Sequence, residues 1–256
     1  MGHTGSIAKH ARTVFCAVLT VSTWIQAEPV LAQCAEPVHS QPVPSNSPSK
    51  TIVVGFVGGI LKHFDQTRNE VLLAERLQGA FPDTVATEVF ENRKPHEAHA
   101  FVLRELGQQA GEPLATARQQ SARVIIYGHS WGASAAVSLA RQLNRDGIPV
   151  LLTVQVDSIH KWMHNDSVIP PNVHEAVNFF QPNGILHGRK RIRAADPGRT
   201  KILGNFQMDY KERHVDCHEY PWWERHITTT HSEIECDPLV WNQIESLIRS
   251  KITSPW

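Results

Sequence analysis

The segment that most constrains this chain runs from Val124 to Ala136. Val124-Ile125-Ile126-Tyr127 is apolar and rich in β-branched residues, Gly128-His129-Ser130-Trp131-Gly132 sets a serine between two glycines, and Ala133-Ser134-Ala135-Ala136 is a run of small residues. A strand that turns into a helix over so few residues must bring the two backbones close together. The glycines and alanines allow that approach, and the turn forces the serine into a strained conformation. Its hydroxyl then stands at the start of a helix, where the dipole favours a developing negative charge.

The rest of the chain alternates in the same way. Thr51–Val57, Thr84–Phe90, Arg123–Tyr127, Pro149–Val156 and Lys201–Phe206 read as strands. Gln66–Gln78 (with Asp65 as its cap), His96–Gln109, Ala133–Asn144 and Pro238–Lys251 read as helices, the last opened by Asp237-Pro238 as N-cap and first-turn proline. Almost wholly apolar strands alternating with helices predict an α/β fold, a mainly parallel central sheet with helices on both faces. In such sheets chemistry sits at the carboxyl ends of the strands. Residues 160–199, with Trp162, Met163, Ile169, Phe179 and Phe180 among polar neighbours, find no clear place in that sheet.

The amino-terminal part differs in kind. Lys9, His10 and Arg12 precede an apolar run from Val14 to Ile25, and small residues follow, as in a secretory signal peptide. Val30 and Ala32 suit positions −3 and −1, which places cleavage after Ala32, with Ala27 as the alternative. The run is too short to span a bilayer of about 30 Å, so no integral membrane segment is expected in the mature chain. Gln33 disfavours a lipid anchor on Cys34. Residues 33–50, with Pro37, Pro42, Pro44 and Pro48, read as a disordered tether, and the folded domain spans 51–256. Export to an oxidising, secreted or periplasmic location makes Cys217 and Cys236 the expected disulfide, against two buried free thiols, and leaves Cys34 over. The 25 basic and 25 acidic residues balance, which argues against a nucleic-acid partner. The 15 histidines are scattered, with no His-Glu-x-x-His pair.

Three segments make the sequence resemble the α/β-hydrolase superfamily, in particular its lipase and thioesterase-like branches, over roughly residues 51–251. They are Gly55-Phe56-Val57-Gly58-Gly59, Gly128-His129-Ser130-Trp131-Gly132, and His231-Ser232-Glu233-Ile234 leading into Asp237-Pro238-Leu239-Val240. The resemblance implies a triad in the order nucleophile, acid, histidine. Ser130 is then the nucleophile and needs a base within hydrogen-bond reach. His231 takes that role, from a polar loop just before the final helix, with His214, His218 and His226 as other late histidines. Asp157, ending the strand after the nucleophile helix, is the acid. Many members take the acid one strand later, which keeps Asp209 open, and Asp196 less so. The oxyanion donors are expected to be the amides of Trp131 and Val57, with Gly58 as the adjacent alternative to Val57. Residues 160–199 would then form a cap or lid, or else a surface excursion. Trp222 and Trp223 either line the pocket or pack the histidine loop.

The implied activity is hydrolysis of a small-molecule or lipid ester or thioester through an acyl-enzyme. No metal or organic cofactor is implied, because nucleophile and base are both side chains. A lipase, an amidase or peptidase, and a non-catalytic binding protein on the same scaffold remain the rival expectations.

Overall fold

The computed structural model describes residues 50–160 and 165–254. The expected export segment and the tether up to residue 49 lie outside the described residues, as do Trp162 and Met163.

The described chain runs β1 (Thr51–Val57), α1 (Asn69–Ala80), β2 (Val85–Glu91), α2 (Pro95–Glu105), α3 (Thr116–Gln120), β3 (Arg123–His129), α4 (Trp131–Arg145) and β4 (Val150–Val156). It continues through β5 (Val168–Ile169), β6 (Val173–Phe180), β7 (Arg193–Ala194), β8 (Lys201–Gln207), α5 (Trp222–Ile227), α6 (Thr229–Cys236) and α7 (Pro238–Thr253). Six strands form one sheet in the order β2-β1-β3-β4-β6-β8, every pair parallel. β5 and β7 make a separate two-stranded pair.

Alternation along the strands separates two cores, because successive side chains point to opposite faces. Ile52, Val54 and Phe56 of β1 meet Ala98, Phe101 and Val102 of α2 and Ala136, Leu139 and Leu143 of α4. On the other face Val53, Ile125 and Tyr127 meet Leu73 and Leu77 of α1 and Val240, Trp241, Ile244 and Ile248 of α7. Both faces are therefore covered. Among the described residues no helix is long and apolar enough to cross a membrane.

Three local expectations need correction. The segment 160–199 is not wholly outside the sheet: Val173–Phe180 is an interior strand between β4 and β8. Its polar residues hide it in the sequence. His174 is exposed at its start, and Asn178, fully buried, donates from its side chain to the Arg189 carbonyl at 2.8 Å and to Asn205 Oδ1 at 3.3 Å. A buried amide that finds such acceptors can occupy a core position. Asp65 does not cap α1, which starts at Asn69 with Arg68 in the cap position; Asp65 instead accepts from the Thr67 amide and hydroxyl in the turn before it. His231 lies inside α6 rather than in a loop. Asp237 does cap α7, accepting from the Leu239 amide at 3.0 Å with Pro238 in the first turn. Cys217 and Cys236 are bridged, tying the segment after β8 to the end of α6.

Candidate active site

β3 ends at His129, and α4 begins at Trp131. Ser130 between them adopts φ 56° and ψ −125°. The crowding expected of this turn is present: a Cβ on Gly132 would collide with the carbonyl oxygen of Phe56 in β1, and one on Gly128 with the backbone of Gly132. Helix α4 can therefore seat against β1 and β3 only with glycine at these positions. The Ser130 amide donates to the Val156 carbonyl at 2.9 Å, which anchors the turn to the end of β4.

Asp157 follows directly after β4 and also has positive φ, 42°. Ser130 and Asp157 are the two non-glycine residues with positive φ among the described residues. Such strain costs on the order of 1–3 kcal/mol per residue and persists only where the surroundings over-determine it. Here they do. The Asp157 amide donates to the Phe179 carbonyl at 2.7 Å, and the Asp157 carboxylate accepts from the amides of Gly188 at 2.7 Å and Gln181 at 3.1 Å and from Gln181 Nε2 at 2.8 Å.

His231 closes the arrangement. Its Nδ1 lies 2.6 Å from Asp157 Oδ2 and its Nε2 lies 3.0 Å from Ser130 Oγ. All three residues are buried. An imidazole so placed can take a proton from the hydroxyl while its other nitrogen stays bonded to the carboxylate. The structure thus brings together Ser130, Asp157 and His231, which are remote in sequence. Asp209 lies in an exposed loop, accepting from Asn183 Nδ2 and the Lys211 amide, and Asp196 is an exposed turn residue accepting from the Gly198 amide. Of the other late histidines, His214 bonds Glu233 at 3.0 Å, His218 lies near Asp216 at 3.5 Å, and His226 is exposed.

A cavity of about 290 Å³ opens over Ser130 and His231. Ile60, Leu61, Trp131, Ile159, Leu186 and Trp223 give it a largely apolar wall. Trp223 therefore faces the cavity, whereas Trp222 is largely exposed. Gly58 lines the cavity and stands close to Ser130, where an added Cβ would lie 2.9 Å from the serine Cβ. The Val57 side chain instead packs into a small core cluster with Val71, Ala74 and Val89.

Sequence reading did not find the groups that hold Asp157 and His231 in place. Gln181 and Gly188 position Asp157, and no motif marks either residue. Arg68 is buried at the start of α1 and makes a bidentate pair with Glu224 of α5, at 2.7 and 2.9 Å, and a third contact to Glu235 of α6 at 3.2 Å. Its guanidinium also lies over the Tyr220 ring at 4.2 Å. One arginine therefore clamps the two helices that carry the cavity wall and His231. Behind His231 lies His129, with ring centroids 4.5 Å apart. Burial holds the His129 ring well below the usual histidine range, helped by the neighbouring charges of His231 and Arg68. Burial likewise pushes the Glu70 carboxyl up to about 7 and the Glu235 carboxyl well above its ordinary value.

No family model matches the sequence, and no curated protein matches it. Among solved structures the chain is similar to a dienelactone hydrolase from Anabaena variabilis, with 12% identity over 78% of this chain and 84% of that one and a TM-score of 0.42. It is similar to a cutinase-like protein from Cryptococcus sp., with 12% identity over 82% of this chain and 99% of that one and a TM-score of 0.43. A thioesterase of prodiginine biosynthesis from Streptomyces coelicolor matches at 11% identity over 88% of this chain and 96% of that one, with a TM-score of 0.41. These likenesses are loose. The chain's own parallel sheet, with the serine turn between β3 and α4 and Asp157 directly after β4, provides the strand–turn–helix context that a nucleophile elbow requires.

Proposed function

We propose that this protein is a secreted serine hydrolase that cleaves carboxylic ester or thioester bonds through an acyl-enzyme on Ser130. The observation that carries this reading is the His231 ring, held between Ser130 Oγ at 3.0 Å and Asp157 Oδ2 at 2.6 Å. His231 Nε2 takes the hydroxyl proton as Ser130 Oγ attacks the acyl carbon. Collapse of the tetrahedral intermediate expels the alkoxide or thiolate, which receives that proton from His231. Water then adds to the acyl-enzyme, giving its proton to His231, and Ser130 recovers the proton as the carboxylic acid leaves. Asp157 orients the ring and stabilises its protonated form.

Oxyanion stabilisation falls to the Trp131 amide and to an amide at the end of β1 or directly after it. Val57 is one candidate for the second donor; Gly58 is the other, and its place on the cavity wall beside Ser130 favours it. The apolar wall supports an acyl group with an aliphatic or aromatic body over a charged one. The Cys217–Cys236 bridge supports an oxidising, extracytoplasmic location, in keeping with the export segment read from residues 1–32.

The test is labelling of the mature protein with a fluorophosphonate probe, for wild type and for Ser130→Ala. Labelling of the wild type alone is expected. A folded wild type that stays unlabelled and hydrolyses no ester or thioester across a chain-length panel would overturn the proposal in favour of a binding protein on this scaffold.

A further inference from the structure

A second constellation lies behind the triad, and the chemistry above does not use it. Glu70 of α1, His129 at the end of β3 and Glu235 of α6 converge so that one donor atom from each lies within 4.8 Å of the others. Their relative exposures are 0%, 2% and 2%. Both Glu70 carboxylate oxygens, Glu235 Oε1 and His129 Nε2 are buried without a hydrogen-bond partner, and His129 Nδ1 lies 3.5 Å from Glu235 Oε2. Unpartnered buried polar atoms are rare, because each forfeits its hydration for nothing in return. Here four of them from three separate elements meet in one place.

Charge points the same way. The cation that touches this group is Arg68, and it is already shared among Asp65, Glu224 and Glu235. Glu224 takes two of its nitrogens. Glu70 lies two residues along the same chain and makes no ion pair with it. Arg68 is thus already engaged by three other carboxyl groups and leaves Glu70 without a cation in contact.

We propose that Glu70, His129 and Glu235 form a binding site for a divalent transition-metal ion of the zinc class. One imidazole with two carboxylates is a donor set suited to such ions, whereas calcium and magnesium favour all-oxygen sites. Metal–ligand bonds of about 2.0–2.2 Å put donor atoms about 3–4 Å apart, so side-chain shifts of under about 1 Å would close the site. His129 and Glu235 both line the cavity over Ser130, the side from which an ion would enter. The site sits behind the His231 ring, so the ion would support or modulate α6 and would not be the hydrolytic centre. Its three ligands come from three distant segments, which is why no short metal motif announces it.

The test uses chelator-treated mature protein titrated with Zn²⁺ by calorimetry, for wild type, Glu70→Gln and Glu235→Gln. Binding of one Zn²⁺ per chain is expected, weakened at least about tenfold in each variant, since even outer-shell losses cost that much. X-ray absorption of the zinc-loaded wild type reads the ligands without any variant and should show one imidazole among oxygen donors. The proposal fails if the folded wild type binds no Zn²⁺, if both variants bind it unchanged, or if the bound zinc carries two or more imidazoles, as surface histidines would supply. Neither readout depends on whether Ser130 acts as a nucleophile.

Discussion

Gln181 donates to Asp157 twice, from its backbone amide at 3.1 Å and from Nε2 at 2.8 Å, the latter to the same Oδ2 that lies 2.6 Å from His231 Nδ1. Nε2 also donates to the Leu186 carbonyl, and Oε1 accepts from the Asn183 amide. The residue thus ties the loop after β6 to the carboxylate. Gln181→Ala should lower kcat about 10- to 100-fold through a misplaced acid, with KM changed less than about twofold. Steady-state kinetics read this split. A proportional loss of folded protein alone would leave kcat per active site unchanged and would sink the positioning role.

The choice between acids can be made directly. Asp157→Asn should lower kcat about 10³- to 10⁴-fold, because the amide can no longer hold the imidazole in its working tautomer. Asp209→Asn changes an exposed loop residue and should leave kcat within about twofold, in line with ordinary surface substitutions. Rates on one ester substrate, measured side by side, distinguish the two. Equal losses would remove Asp157 from its proposed role.

Arg68 offers a structural test of how α5 and α6 are held. Arg68→Met leaves Glu224 and Glu235 buried without their cation, a loss of about 3–5 kcal/mol for a broken buried pair. Arg68→Lys restores the charge but not the bidentate geometry, and should recover only part of it. Urea denaturation would order the three proteins as wild type, Lys, Met. Equal stability of all three would mean the pairing is dispensable.

Glu245 links α7 to α1 by its contact to Arg76 at 2.7 Å, and bonds Arg249 within α7 at 2.9 Å. Burial tends to raise its carboxyl, but the bonds from Arg76 and Arg249 prevail and hold it below the ordinary carboxylate value. A carboxyl lowered by folding stabilises the protein above its unfolded pKa, and that contribution is lost as pH falls through the folded value. Both arginines are partly exposed, so Glu245→Gln should cost only about 0.5–1 kcal/mol at pH 7. The difference from wild type should shrink at about pH 4 and below, as the carboxyl is protonated first in the unfolded and then in the folded state. Denaturation at the two pH values checks it; a gap that persists in acid would assign the effect to packing.

Apolar runs and small-residue turns are local facts, and the sequence alone was enough to place β1 to β4, α4 and α7 to within a few residues. It was also enough, through the resemblance to the α/β-hydrolases, to name Ser130, Asp157 and His231 as a candidate set, with Asp209 left open as the acid. β6 left no such trace. Its buried Asn178 reads as polar until the Arg189 carbonyl and Asn205 are known to lie opposite it. Gln181 and Gly188, the Arg68 clamp, the placing of His231 inside α6 and the meeting of Glu70, His129 and Glu235 were decided only by tertiary structure. A buried polar group is stable only when partners from distant segments arrive to satisfy or neutralise it, and that arrival has no period or spacing along the chain.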